Sequence, residues 1–137
     1  MKIAVVMGVA NSRSIAWGIA NKLIDEGYTC IFTYPNNSVQ KKITRLSPMA
    51  HTVKCDVTNA MDVRNCFMEI KQHFKSIDYV VHAMSMTDFT ELDGKFYDIS
   101  QENFSESLTV GCYSLIQIVK HSLLSVSYTH LRAHETS

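Results

Sequence analysis

Residues 3–20 read I-A-V-V-M-G-V-A-N-S-R-S-I-A-W-G-I-A, and this stretch decides the fold. Ile3 to Met7 is a short apolar run, too brief for a helix and rich in β-formers, so it predicts a buried strand. Gly8 ends the run, and the polar turn Asn11-Ser12-Arg13 follows. Ser14 is a good N-cap, and Ile15, Ile19 and Leu23 recur at helical spacing, which predicts a helix from Ser14 onward. Strand, glycine turn and helix in that order aim free backbone N–H groups and the positive end of a helix at a phosphate. The spacing Gly8, Ser14, Ala16, Gly18 departs from G-x-G-x-x-G. Gly8 would allow a tight exit from the strand, and Ser14 would offer a hydroxyl as well as an N–H. Ala16 and Gly18 are small enough to let the helix approach the sheet. The alternative is an ordinary βα unit whose glycines serve packing alone.

At 137 residues the chain is long enough for about one domain with a modest core. Its 13 basic and 13 acidic residues balance, which gives no electrostatic argument for nucleic acid or an anionic membrane. There is no apolar run long enough to span a bilayer, and the opening Met-Lys-Ile-Ala reads as strand rather than signal peptide. A soluble, cytoplasmic protein is expected. Cys30, Cys55, Cys66 and Cys112 are widely spaced with no C-x-x-C pair, so they are expected to be reduced core thiols. No metal site is predicted: the histidines do not cluster with the cysteines, and His130 and His134, at i and i+4, supply two ligands only.

Further along, Gly27 is placed to close the first helix, and Thr29 to Tyr34 predicts a second strand. An acidic residue after such a strand would hold the ribose hydroxyls of a dinucleotide, and a cation would hold a 2′-phosphate. Pro35-Asn36-Asn37-Ser38 offers neither, and Lys41 and Lys42 read as the solvated face of a helix over Val39 to Leu46. NADH is therefore preferred to NADPH. A third strand is predicted around Thr52 to Cys55, with Asp56 and Val57 at its carboxyl end, where open α/β sheets place ligand contacts. The alternative is that Asp56 starts a turn, or that Thr58 or Asn59 caps the helix over Met61 to Phe74. Tyr79 to Ala83 predicts a fourth buried strand, and His82 within it reads as structural rather than as a base. Ser100 to Leu124 predicts one long helix capped by Ser100, apolar over so much of its girth that it needs two partners.

The segment G-V-A-N-x-R-S-I-A-W-G-I-A from Gly8 to Ala20 resembles the opening of the bacterial enoyl-acyl-carrier-protein reductases, a divergent branch of the short-chain dehydrogenase/reductase superfamily. F-T-Y at Phe32 to Tyr34, C-D-V at Cys55 to Val57 and V-H-A at Val81 to Ala83 fit the same family. So do L-D-G-K-F-Y-D-I-S at Leu92 to Ser100 and C-Y-S-L at Cys112 to Leu115. The resemblance implies an α/β fold, a Rossmann-type doubly wound parallel sheet with strand order 3-2-1-4, here truncated. It implies NAD contacts at Gly8, Ser14, Ile15, Asp56, Val57 and Met84. Asp56 would accept from the adenine amino group while Val57 packs on the ring, and Met84 would line the cofactor. Thr87 is placed near the thioester of an acyl-carrier-protein substrate, and Pro35 stands where the family often has glutamine. The implied reaction is NADH-dependent reduction of a trans-2-enoyl thioester in fatty acid biosynthesis. The long helix is expected to pack against another subunit of a homo-oligomer, a tetramer in the complete protein.

The family's catalytic pair, a tyrosine and a lysine seven positions later, has no counterpart here. Glu135 stands seven residues after Tyr128, and no lysine follows Lys120. Residues 1–124 are read as the dinucleotide-binding part, and 125–137 as a tail that is not native and lacks the next strand. An unpaired edge on the fourth strand, marginal stability and no catalytic residue are the corresponding expectations. The alternatives are another short-chain reductase, acting on 3-oxoacyl or alcohol substrates, and a non-catalytic nucleotide-binding fragment. Ordinary members of the superfamily carry a glycine-rich turn where this chain has Gly8 to Ser14, which disfavours the first of these.

Overall fold

The computed structural model describes residues 1–84, 94–125 and 133–135. Among them are five parallel strands: β1 (Ile3–Met7), β2 (Thr29–Tyr34), β3 (His51–Lys54), β4 (Tyr79–His82) and β5 (Ala133–Glu135). They stand in the order β3-β2-β1-β4-β5. β1 is buried along its whole length, and its side chains divide by parity. Ile3, Val5 and Met7 join one apolar cluster, while Ala4 and Val6 join another. A strand apolar on both faces needs a partner on each edge and helices above and below. The register supplies the first: Val5 lies beside Ile31 of β2 and Val80 of β4.

Helices supply the second. α1 (Ile15–Asp25) and α2 (Asn37–Leu46) cover the Ala4/Val6 face, contributing Ala16, Ala20 and Ile43. α3 (Ala60–His73) covers the other with Val63, Cys66, Phe67 and Ile70. α4 (Gln101–Leu108) and α5 (Ser114–Ser125) are joined by a π-helical turn, Thr109–Tyr113, and Ile118 of α5 completes that core. Each helix starts or stops for a local reason. Gly27, at φ +91°, closes α1: its N–H donates to the Ile24 carbonyl and that of Tyr28 to the Leu23 carbonyl, both at 2.9 Å. Asn36, Asn59 and Ser100 accept N–H bonds with their side chains and cap α2, α3 and α4.

The predicted order 3-2-1-4 is present, and four sequence expectations are corrected around it. The outer edge of β4 is paired, because residues 133–135 add there in parallel register, with Val80 beside Ala133. The long helix is interrupted by the π turn. On α1, Gly18 faces solvent with nothing within 4 Å of where a Cβ would stand, and Ile15 is 53% exposed. Ala16 makes the close approach to the sheet as predicted, with Ala20 in the place expected of Gly18, and both are fully buried. Of the cysteines, Cys30, Cys55 and Cys66 are core thiols, whereas Cys112 is exposed.

Candidate functional site: a cleft across the carboxyl ends of the strands

Helices lie on both faces of the sheet, α1 after β1 on one and α5 after β4 on the other, so the crevice between β1 and β4 is left open at the carboxyl ends. A cleft of about 430 Å³ lies there, within the range of small-molecule and cofactor sites. Gly8, Ser14, Ile15, Asp56, Val57 and Met84 all line it, so the fold brings together every described residue of the predicted site. Thr87 lies outside the described residues.

The turn from β1 to α1 shapes the middle of the cleft. Gly8 has φ +112°, a backbone conformation that disfavours any side chain. A Cβ there would stand 2.0 Å from the Ala83 carbonyl oxygen, so glycine is required by close approach of the β4 exit as well as by the turn. Ser14 occupies the N-cap position of α1, yet its side chain does not cap the helix. Its Oγ accepts the N–H groups of Ala10 at 2.9 Å and Asn11 at 3.0 Å, which folds the loop back on the helix start. Two bonds engage the oxygen lone pairs and leave the hydroxyl proton as the outward donor. The Ser14 N–H itself donates to the Asn11 carbonyl, so the N–H predicted to serve a ligand is already used. Among the described residues, the N–H groups of Ile15 and Ala16 have no partner. The first turn of α1 thus presents two backbone donors, one hydroxyl and the positive end of a helix dipole.

Beyond β3, Asp56 starts a turn and also lines the cleft. Its Oδ1 accepts the Thr58 N–H at 3.0 Å and the Thr58 hydroxyl at 2.6 Å, starting the turn, and Asn59 caps α3. Oδ2 has no partner among the described residues, nor has the Val57 N–H, so an acceptor and a donor stand side by side on the cleft wall. Asp62 holds this turn in place. Its Oδ2 accepts the Asp56 N–H at 2.6 Å and the Lys54 ammonium at 2.8 Å. The Lys54 bond, then the Asp56 N–H, keeps the Asp62 carboxyl below the usual carboxylate range, and the same ion pair raises Lys54.

After β2, Pro35 lines the cleft, and Asn36 is occupied in capping α2. Lys41 and Lys42 are exposed on α2, as expected of a solvated face, and neither lines the cleft. At the opposite end, Ala83 and Met84 leave β4 beneath the π turn, whose Val110 also lines the cleft. His82 is fully buried, and its Nε2 lies 2.7 Å from Ser114 Oγ, a structural histidine as predicted. Sequence reasoning missed Val110, Val39 and Thr33 as lining residues. By spacing Val110 belongs to the apolar stripe of the long helix, whereas in the structure it lies in the π turn and lines the cleft.

The model of the enoyl-(acyl carrier protein) reductase family matches residues 8–127. The chain belongs to that family. A relative from Rickettsia bellii, enoyl-[acyl-carrier-protein] reductase [NADH] FabI, is 35% identical over 127 residues, covering 88% of this chain and 47% of its own length. The crystal structure of enoyl-[acyl-carrier-protein] reductase (NADH) from Aquifex aeolicus superposes with a TM-score of 0.85 at 32% identity, covering 92% of this chain and 55% of that one. The reductase from Anaplasma phagocytophilum, solved in complex with nad, gives 0.85 at 32% identity over 96% of this chain and 52% of its own. The chain thus spans about half the length of the relatives it matches.

Proposed function

We propose that this chain forms the dinucleotide-binding half of an NADH-dependent enoyl-acyl-carrier-protein reductase, a cytoplasmic enzyme of fatty acid biosynthesis. The observation that carries the reading is the open first turn of α1, where unpartnered N–H groups and the Ser14 hydroxyl meet a position that only glycine can fill. That cradle fits a pyrophosphate: it offers donors and a positive dipole and lets a ligand come close to backbone. Residues 1–124 are assigned to this part, with 125–137 as an appended, non-native tail.

Along the cleft the roles divide by position in the sheet. Asp56 Oδ2 accepts from the adenine amino group and Val57 lies against the ring at the β3 end. Ser14 and Ile15 hold the pyrophosphate over β1. Met84 flanks the nicotinamide at the β4 end, and Thr87 meets the thioester. Among the described residues that line the cleft there is no Lys or Arg to neutralise a 2′-phosphate, which supports NADH over NADPH. When bound, the reduced nicotinamide supplies the hydride that adds to the β-carbon of a trans-2-enoyl thioester carried by acyl carrier protein. The chain's part is to orient that ring and to exclude water with Ala83, Met84 and Val110. The sequence has no Tyr–Lys pair at the family's spacing, so this chain is assigned binding without turnover. Phe104, Leu108, Tyr113 and Ile116, each at least 46% exposed along α4, the π turn and α5, support association through that face into a homo-oligomer, a tetramer in the complete enzyme.

Titration of the purified chain with NADH, followed by nucleotide fluorescence, tests the reading. A dissociation constant in the micromolar range is expected, with no oxidation of NADH when a crotonyl thioester is added. A folded chain that binds no NADH overturns the proposal, and steady turnover overturns the assignment of binding alone.

A further inference from the structure

The π turn between α4 and α5 is tied to the sheet by a buried relay. The Ser114 N–H reaches back five residues to the Thr109 carbonyl. Its hydroxyl donates to the Val110 carbonyl at 2.6 Å, and its Oγ lies 2.7 Å from His82 Nε2. A serine hydroxyl has one proton and a carbonyl can only accept, so the Ser114 proton sits on the Val110 bond. His82 must then donate, which fixes the Nε2–H tautomer. Both residues are fully buried. The relay thus joins the last residue of β4 to the backbone of Val110, and both partners are next to the cleft: Ala83 and Met84 follow His82, and Val110 lines the wall. Gly111, one residue on, brings the π turn against the β4 exit, since a Cβ there would stand 4.0 Å from the Met84 carbonyl oxygen.

We infer that Ser114 and His82 are positioning residues that set the width of the β4 end of the cleft, and that through Val110 they decide how tightly a nicotinamide ring at that end is held. The inference rests on the proposed dinucleotide reading. Ser114 touches no ligand in this scheme: it fixes a carbonyl, the carbonyl fixes Val110, and Val110 forms the wall. Asp56 and Ser14 lie at the far end and the middle of the cleft and take no part in the relay.

The test compares two ligands on the same full chain. NADH spans the cleft, whereas ADP occupies only the adenosine and pyrophosphate portion. Ser114→Ala is expected to weaken NADH about tenfold while ADP stays within about twofold, and bound NADH should lose part of its fluorescence enhancement. Val110→Ala, which leaves the relay intact, is expected to show the same selective loss, and it decides the matter should Ser114→Ala fail to fold. Equal weakening of both ligands, or unchanged NADH affinity in Val110→Ala, overturns the inference. The failure of the wild-type chain to bind either ligand is a different result and counts against the dinucleotide reading itself.

Discussion

Gly8→Ala and Gly18→Ala remove the same hydrogen atom, and the structure assigns them opposite signs. At Gly8 the added Cβ would stand 2.0 Å from the Ala83 oxygen and 2.6 Å from its carbonyl carbon, at φ +112°. Relief requires the exits of β1 and β4 to part by about 1 Å, since real Cβ contacts essentially never fall below 3.0 Å. That movement breaks the 3.1 Å bond from the Ala83 N–H to the Met7 carbonyl. Backbone strain, forced packing and the lost bond together cost about 3–6 kcal/mol. With a urea slope of about 2 kcal/mol per molar, the midpoint should fall by about 1.5–3 M. Gly18 stands exposed inside α1 with open space around it, so alanine there should stabilise by about 0.5–1 kcal/mol and raise the midpoint by a few tenths of a molar. Urea unfolding followed by far-ultraviolet dichroism reads both, and an NADH titration should show binding lost in Gly8→Ala and kept in Gly18→Ala. A Gly8→Ala chain with the wild-type midpoint would refute the close-approach argument. Shifts of the same sign in both variants would refute the contrast.

Three other perturbations follow from the same geometry. Ser14→Ala withdraws the acceptor of the Ala10 and Asn11 N–H groups and the one hydroxyl at the helix start; NADH affinity should drop about tenfold, about 1.4 kcal/mol, and an affinity within twofold of wild type counts against it. Asp62 is held ionised below its ordinary range, so its contribution is complete above about pH 4 and is lost as pH falls through the lower folded value. Stability of the wild type should therefore fall more steeply than that of Asp62→Asn on acidification below about pH 4; parallel pH curves would dismiss the role. Ile116→Glu places a charge on the exposed face of α5 and should leave thermal stability nearly unchanged while reducing any self-association seen by sedimentation; an unchanged distribution of species that includes oligomers removes that face from the interface.

The sheet was legible because its signals are local and strong. β1, β2 and β4 are apolar runs bounded by turn residues, and Gly27, Asn59 and Ser100 do at the helix ends what their side chains and backbone freedom predict. The candidate site was legible where a loop directly after a strand carries it, at Gly8 and Ser14 after β1 and at Asp56 after β3. It was not legible where a side chain arrives from a distant element. Val110 belongs by pattern to the apolar stripe of a helix, and nothing in 3.6-residue periodicity announces an inserted residue that turns it toward the cleft. α1 shows the same limit: Ile15, Ile19 and Leu23 recur at helical spacing, yet Ile15 is exposed and the fully buried residues are Ala16 and Ala20, with Trp17, Ile19 and Leu23 partly buried beside them. Residues 125–137 show no strand periodicity, yet 133–135 pair with β4, because a short strand added to an existing edge draws on the edge's unpaired groups rather than on its own propensity.

One feature of the helix start links stability to binding. A serine at the N-cap ordinarily turns its oxygen onto the second or third N–H of the helix and so satisfies an orphan donor. Ser14 has the extended N-cap backbone, φ −62° and ψ 140°, but spends its oxygen on the preceding loop. The helix thereby forgoes about 1 kcal/mol of capping, and the loop gains an anchor that holds Ala10 and Asn11. The consequence is electrostatic. The partial positive charge of the first turn is not neutralised by the protein's own oxygen, so it remains for an anion, and the hydroxyl proton adds a third donor to the N–H groups of Ile15 and Ala16. A side chain that capped the helix would close the site it now builds. By this argument, occupancy of the cleft should stabilise α1 more than any other helix. Hydrogen exchange at the Ile15 and Ala16 amides should slow on adding NADH by a larger factor than at the capped start of α3. Equal protection at the two helix starts would break the link between the unused cap and the ligand.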